Sequence, residues 1–231
     1  MESYFIFILP VLIISMIVQW KFRDKFSRYA DMELSSGLSG REVAERMLQD
    51  HGILDVRVMS TEGQLSDHYN PEKKTVNLST DVYHGRSVAA AAVAAHECGH
   101  ALQDKRAYHW LQLRSELVPI VSITSNLLQW VMMLGILMIG FTGNPLVLGI
   151  GVIGLALVTA FSILTLPVEL DASKRALAWL KSNQVVMHTE IEVEQARDAL
   201  WWAAMTYFIA AVGALGNLLY YAGMLFARSR D

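Results

Sequence analysis

The residues best suited to chemistry form one short cluster, His96-Glu97-Cys98-Gly99-His100. Two histidines four residues apart project from the same face of a helix, where both imidazoles can bind one metal ion. This is the geometry of a zinc site, with Zn–N distances of about 2.0–2.1 Å. Glu97 lies about 100° round the helix from His96, so it can take a proton from a metal-activated water without binding the metal. The cluster therefore predicts metal-assisted hydrolysis of a peptide bond, with Glu97 as the base.

The surroundings of this H-E-x-x-H pattern strengthen the prediction. Residue frequencies alone produce the pattern in about 1% of chains of this length, so the context has to decide. The preceding residues are Ala and Val, which indicates a buried helix from Val88 to about Asp104, capped by Ser87. An unpaired Glu on such a helix is costly unless something binds there. Cys98 falls off the ligand face and is interpreted as a packing residue.

A catalytic zinc needs a third protein ligand from elsewhere in the chain. Gln103 and Arg106 stand where the metzincin pattern needs Gly and His, so that extension is excluded. The charges at 104–106 show that the motif helix is not a membrane span. The sequence contains no GxxxxGK[ST] loop, so it does not have the fused ATPase of the AAA-linked membrane proteases. Glu169 is the best candidate because it follows directly after an apolar run, on the side predicted for the motif. Asp171 points about 200° away round the same helix and cannot share that position.

The chain is unusually apolar, with 53% hydrophobic residues and a mean hydropathy of +0.33. Four runs without charge are long enough, or nearly so, to cross a bilayer as helices. They are 4–20, 118–142, 146–168 and 203–226. The turn 143–145 makes the middle two a hairpin. No Lys or Arg precedes the first run and no small-residue cleavage site follows it, which favours a retained anchor over a signal peptide.

The positive charges predict the orientation of these spans. Loops 21–117 and 169–202 hold 17 of the 19 Lys and Arg residues. With four spans both loops lie on one side, which the positive-inside rule makes cytoplasmic. The motif and Glu169 are then cytoplasmic too. Arg228 and Arg230 are exceptions, because four full spans place them outside.

Loop 21–117 has the pattern of a small α/β unit. Ser39 and Glu42 form a capping box before an amphipathic helix. Three strands are predicted before the motif helix, at 54–59, 64–69 and 75–79. The last of them could offer an edge to an extended substrate peptide.

The predicted fold is thus a mostly α membrane protein, with about four transmembrane helices and a small α/β cytoplasmic unit that contains a three-stranded sheet and the HExxH helix. Five segments are expected: an anchor (1–20), the α/β unit (21–117), a transmembrane hairpin (118–168), a cytoplasmic helical segment with the third ligand (169–202), and a C-terminal transmembrane segment with its tail (203–231). The net charge of −3 argues against a nucleic-acid partner. A single cysteine excludes an intrachain disulfide.

Two stretches of the chain resemble a known family. VNLSTDVYHGRSVAAAAVAAHECGHALQ (76–103) and LPVELDASKRA (166–176) are similar to the bacterial neutral zinc metallopeptidases of the inner membrane. The resemblance implies a multi-pass protein of the inner (plasma) membrane. A more distant similarity is to the M48 membrane peptidases, whose third ligand is the Glu of a Glu-x-x-Ala-Asp pattern. Glu169 and Ala172 match that pattern, but this chain has Ser173 where the pattern has Asp. The supporting role that the Asp has in the M48 peptidases is therefore not assigned to Ser173.

Two functions from different classes are compatible with these features. The first is a membrane-embedded zinc endopeptidase with one Zn²⁺ per chain, held by His96, His100 and Glu169, acting on peptides or membrane proteins at the cytoplasmic surface of the bilayer. The second is a catalytically silent zinc-binding scaffold or regulator. A structural zinc is usually closed by four protein ligands, and no further Cys or His lies near the motif. An open position beside an intact Glu97 therefore favours the endopeptidase.

Overall fold

The structure, a computed structural model, describes the backbone of residues 2–228 and the side chains of residues 8–227. The helices are α1 (Glu2–Ala30), α2 (Gly40–Asp50), α3 (Thr80–His84), α4 (Val88–Lys105), α5 (His109–Thr142), α6 (Leu146–Ser182) and α7 (Glu190–Arg228). The strands are β1 (Arg57–Thr61), β2 (His68–Asn70) and β3 (Thr75–Ser79). The chain divides into two compact units. Unit 1 comprises residues up to 18, 113–166 and those from 206 onward, and unit 2 comprises 19–112 and 167–205.

Unit 1 contains the predicted helical hairpin. Gly143 adopts a φ of +72°, a backbone conformation that glycine tolerates at no steric cost, and so ends α5. The Asn144 side chain then accepts a hydrogen bond of 2.9 Å from the Leu146 amide and caps α6. A Cβ on Gly135 would lie 2.7 Å from the Leu148 Cα, so a residue without a side chain is needed where the two helices meet. Local turn chemistry and one close approach thus explain the hairpin.

Among the described residues, three helices are long and apolar enough to cross a membrane by length and composition: His109–Thr142, Leu146–Ser182 and Glu190–Ala227. They contain the last three of the four predicted runs. The first run lies in α1, and its span remains a prediction, with the side chains of its first residues outside the described part of the chain. Arg228 and Arg230 also lie outside the described side chains.

Unit 2 contains a small sheet, which in the described residues has the strand order β1-β3-β2. β2 pairs antiparallel with β3, so the predicted hairpin between the last two strands is present. β1 pairs with β3 in parallel over the full length of β3. The prediction that residues 75–79 offer an edge to a substrate is therefore wrong, because β3 has a neighbour on each side. The pairing of β1 with β3 is not local and leaves no signal in a short stretch of sequence.

The core of unit 2 forms around α4. The capping box predicted for α2 is present, with the Ser39 side chain accepting from the Glu42 amide and the Glu42 side chain accepting from the Ser39 amide. The apolar face of α2 and the inward side chains of β3 are buried in the same cluster as the Ala-rich start of α4. Ser87 caps α4 by accepting from the Ala90 amide, as its sequence indicates. The motif helix is thus held on several sides by tightly packed small residues.

Candidate metal centre

Helix α4 presents the two histidines of the motif one turn apart. Their rings meet edge to face, with centroids 4.8 Å apart and planes at 84°. His100 is buried and His96 is partly exposed. Because the helix is packed along most of its length, both imidazoles start from a backbone that has little freedom to move.

Helix α6 approaches α4 closely at Gly99. A Cβ at this position would lie 2.5 Å from the Ala172 carbonyl oxygen and 3.1 Å from the Ala172 Cα. Only glycine permits this approach, because both obstructing atoms belong to the backbone and cannot rotate away. Val168, Ala172 and Ala176 are fully buried at four-residue spacing along α6 and form the stripe that the approach requires. Glu169, on the same helix, is thereby brought beside the motif.

The Glu169 carboxylate lies next to both imidazoles. Its Oε2 is 3.2 Å from His96 Nε2 and 3.7 Å from His100 Nε2. Ligands at about 2.0–2.2 Å from a tetrahedral zinc are separated from one another by about 3.4 Å. One potential ligand atom from each of the three residues lies within 4.8 Å of the others. The donor set and its spacing therefore fit zinc.

Glu97 directly follows His96 on α4 but is not one of the clustered residues. In the part of the chain that the structure describes, the metal-ligand grouping contains His96, His100 and Glu169 but not Glu97. The Glu97 side chain is nevertheless buried, with 7% of its surface exposed. Burial of this carboxylate, one residue after His96 on α4 and outside the ligand grouping, is compatible with the role of base that the sequence predicts, and that role stays a prediction.

Each histidine also has a partner on its other ring nitrogen. Ser173 Oγ lies 3.1 Å from His96 Nδ1, and Gln103 Oε1 lies 3.0 Å from His100 Nδ1. Such outer contacts orient metal-binding imidazoles. Sequence reasoning recorded Gln103 only as a departure from the metzincin pattern and gave Ser173 no role. The available signal was the position of Ser173 four residues after Glu169, which places both residues on the same face of the helix.

Asp171 is not part of the cluster. Its Oδ2 accepts hydrogen bonds from Arg175 Nε at 2.5 Å and from Gln103 Nε2 at 2.8 Å. It lies outside the metal-ligand grouping that the described residues form. Its contacts connect it to His100 through Gln103.

Cys98 packs into the core of unit 2. Its Sγ donates a weak hydrogen bond of 3.5 Å to the Ala44 carbonyl. Burial, and then the negative charge of Glu97, raises the pKa of the Cys98 thiol well above its usual value. A thiol held in its neutral form in an apolar environment is a poor metal ligand, which supports its interpretation as packing.

A third buried carboxylate, Glu192, lies near the start of α7 and outside the metal-ligand grouping of the described residues. It is 6% exposed, and its Oε1 accepts from the Ser35 amide at 2.7 Å. Its Oε2 accepts from the His188 and Thr189 amides at the start of α7. Glu192 therefore caps α7 and ties it to the segment before α2, a role that needs the tertiary structure to be recognised.

These features define a class: a membrane protein whose HExxH helix meets a glutamate from a second helix. The chain belongs to the family described as "Putative neutral zinc metallopeptidase", which matches residues 4–226. It is 37% identical over 228 residues to "Putative membrane protease YugP" of Bacillus subtilis (strain 168), covering 98% of each chain. No solved structure matches the chain with significance. Family membership implies zinc, and the three clustered residues provide a possible site for it.

Proposed function

We propose that this protein is a zinc-dependent endopeptidase of the membrane. The observation that carries the proposal is the cluster of His96, His100 and Glu169, with Glu97 buried on the same helix as the two histidines. When bound there, zinc would polarise a peptide carbonyl and make a water molecule acidic near neutral pH. The similarity to a protein named as a membrane protease supports this class of reaction.

The side chains of this chain then have separate tasks. His96 and His100 offer neutral Nε2 atoms, and Glu169 offers an anionic oxygen, which together hold the metal. Glu97 accepts a proton from the attacking water at its carboxylate and later donates it to the leaving nitrogen. The buried position of Glu97 keeps bulk water from competing for that proton.

We further propose that the site works at the cytoplasmic surface of a multi-pass inner membrane protein, on membrane proteins or on peptides close to the bilayer. Glu169 follows the uncharged run 146–168 directly, on the same continuous helix. The Lys and Arg residues concentrate in the two loops that carry the motif and Glu169. A site held at that depth would favour substrates that are themselves attached to the membrane.

The test uses the full chain purified in detergent, with casein as a general substrate. We expect cleavage by the zinc-loaded protein, loss of cleavage after treatment with a chelator, and recovery when zinc is returned. A preparation that binds zinc at one ion per chain but cleaves neither casein nor a membrane-protein substrate would favour the silent scaffold. Cleavage that persists fully without metal would overturn the proposal.

A further inference from the structure

Gln103 is a fully buried amide between His100 and helix α6. It lies one turn after His100 on α4 and has no exposed surface. Its Oε1 is 3.0 Å from His100 Nδ1. Its Nε2 donates two hydrogen bonds of 2.8 Å, to the Val168 carbonyl and to Asp171 Oδ2. Every polar atom of this side chain thus has a partner.

The partners determine which way the amide faces. The Val168 carbonyl oxygen can only accept a hydrogen bond, so the atom that faces it must be the NH₂ group. The amide oxygen therefore faces His100, and it too can only accept. It follows that His100 Nδ1 carries the proton. In the neutral ring the lone pair then lies on Nε2, the atom directed at Glu169 Oε2.

Asp171 and Arg175 hold the amide in this orientation. Arg175 Nε donates to the same Asp171 oxygen that accepts from Gln103, at 2.5 Å. A charged acceptor makes the hydrogen bond from the amide stronger than a neutral one would. Arg175, Asp171 and Gln103 therefore form a chain of contacts that ends at His100, and reversal of the amide would place its oxygen against a carboxylate.

The contact at the other histidine has a different character. Ser173 Oγ lies 3.1 Å from His96 Nδ1, and a hydroxyl can either donate or accept. His96 can thus donate from Nε2 to Glu169, which is 3.2 Å away, while Ser173 donates to Nδ1. It can equally place its proton on Nδ1, with Ser173 accepting and Nε2 available to a metal. Both tautomers of His96 are satisfied, whereas only one tautomer of His100 is.

We propose that Gln103 is a positioning residue that fixes His100 in the metal-binding tautomer, and that Asp171 and Arg175 keep Gln103 in place. The inference rests on the proposed metal site and distinguishes its two histidines: His100 is held in the tautomer that leaves Nε2 available to a metal, whereas His96 can adopt either tautomer because the Ser173 hydroxyl can donate or accept. Loss of an outer contact of this kind typically weakens metal binding by about 10–100-fold.

The first experiment reads the tautomer directly in the metal-free full chain. Long-range ¹H–¹⁵N spectra of histidine-labelled protein, recorded well above the ordinary histidine pKa, distinguish a protonated from an unprotonated ring nitrogen. The His100 signals are assigned by their loss in His100→Asn. We expect the single His100 ring proton on Nδ1 in the wild type. In Gln103→Met, which has similar length but no amide, we expect a mixture of the two neutral tautomers. Ser173→Ala is the matched control and leaves the His100 signals unchanged.

The second experiment measures zinc affinity by competition with a chelator. We expect Gln103→Met to bind zinc about 10–100-fold more weakly than the wild type. Equal affinity and an unchanged tautomer in Gln103→Met would overturn the proposal.

The two proposals fail in different ways. A wild-type protein that binds no zinc contradicts the proposed function, and the metal-free spectrum still decides the role of Gln103. If Gln103→Met does not fold by circular dichroism, the wild-type spectrum decides alone: a proton on Nδ1 of His100 supports the role, and a proton on Nε2 refutes it.

Discussion

At the scale of single residues, the site combines two buried carboxylates with two imidazoles. Glu169 is 2% exposed and Glu97 is 7% exposed. A carboxylate buried in an apolar environment loses its hydration, which is costly unless positive charge is supplied. The contact of His96 Nε2 with Glu169 only partly compensates. A divalent cation between His96, His100 and Glu169 would supply the missing positive charge, and zinc is the cation that these ligand types fit.

Replacing Glu97 by Gln separates catalysis from metal binding. The amide has nearly the same shape but cannot accept a proton, so we expect activity to fall by about 10²–10⁴-fold. Zinc content should stay near one ion per chain, because Glu97 is not in the ligand set. Cleavage rates measured with a fluorogenic peptide, together with atomic absorption, provide the check. Near wild-type cleavage by this variant would remove Glu97 from the mechanism.

Glu169 and Asp171 form an informative pair, since both are acidic and lie two residues apart. Glu169→Ala removes one of three ligands, so we expect the purified variant to lose its zinc. Asp171→Ala leaves all three ligands but disturbs the contacts through Gln103 to His100, so zinc binding should weaken and not vanish. Atomic absorption at a series of chelator concentrations distinguishes the two. The reverse order, with Asp171→Ala the metal-free variant, would mean that the wrong carboxylate was chosen.

At the scale of helices and strands, the close packing of α4 on α6 decides whether Glu169 reaches the histidines. The Gly99→Ala change inserts a methyl group 2.5 Å from a backbone oxygen of α6. We expect the helices to separate by a few tenths of an ångström or more, with a stability loss of about 1–3 kcal/mol and weaker zinc binding. Gly140→Ala is the control, because nothing lies within 4 Å of that added Cβ. Equal zinc affinity in both variants would show that the contact at Gly99 does not position the site.

The elements also show what could be predicted from the sequence. Caps and periodicity are local, so the capping box of α2, the bounds of α4 and the turn at 143–145 were predicted correctly or nearly so. The place of β3 in the sheet depends on β1, which is distant in sequence, and it was predicted wrongly. The roles of Gly99 and Gln103 were missed because both residues act on α6, some 70 positions later, and neither has a chemical group that indicates such a partner.

At the scale of the whole molecule, the surface of unit 1 is apolar in a way that suits lipid. Large side chains of its helices stand exposed, among them Phe141 at 86% and Ile153 at 72%. Such an extent of exposed apolar surface is unfavourable in water and marks a surface that something else covers. The membrane-protease relative and the three long apolar helices indicate that the bilayer covers it.

Orientation in the membrane is the remaining property that the charge pattern predicts. The chain has one cysteine, Cys98, which is buried, so an impermeant maleimide should react little with the native protein. Cysteines introduced by Gln64→Cys and Asn144→Cys then report on loop 21–117 and on the turn 143–145. We expect the Asn144→Cys variant to be labelled in intact cells and the Gln64→Cys variant only after permeabilisation, because the loops rich in Lys and Arg stay cytoplasmic. Labelling after denaturation controls for expression of each variant. If Gln64→Cys is labelled in intact cells, the site faces outward, and the substrates must be sought on the other side of the membrane.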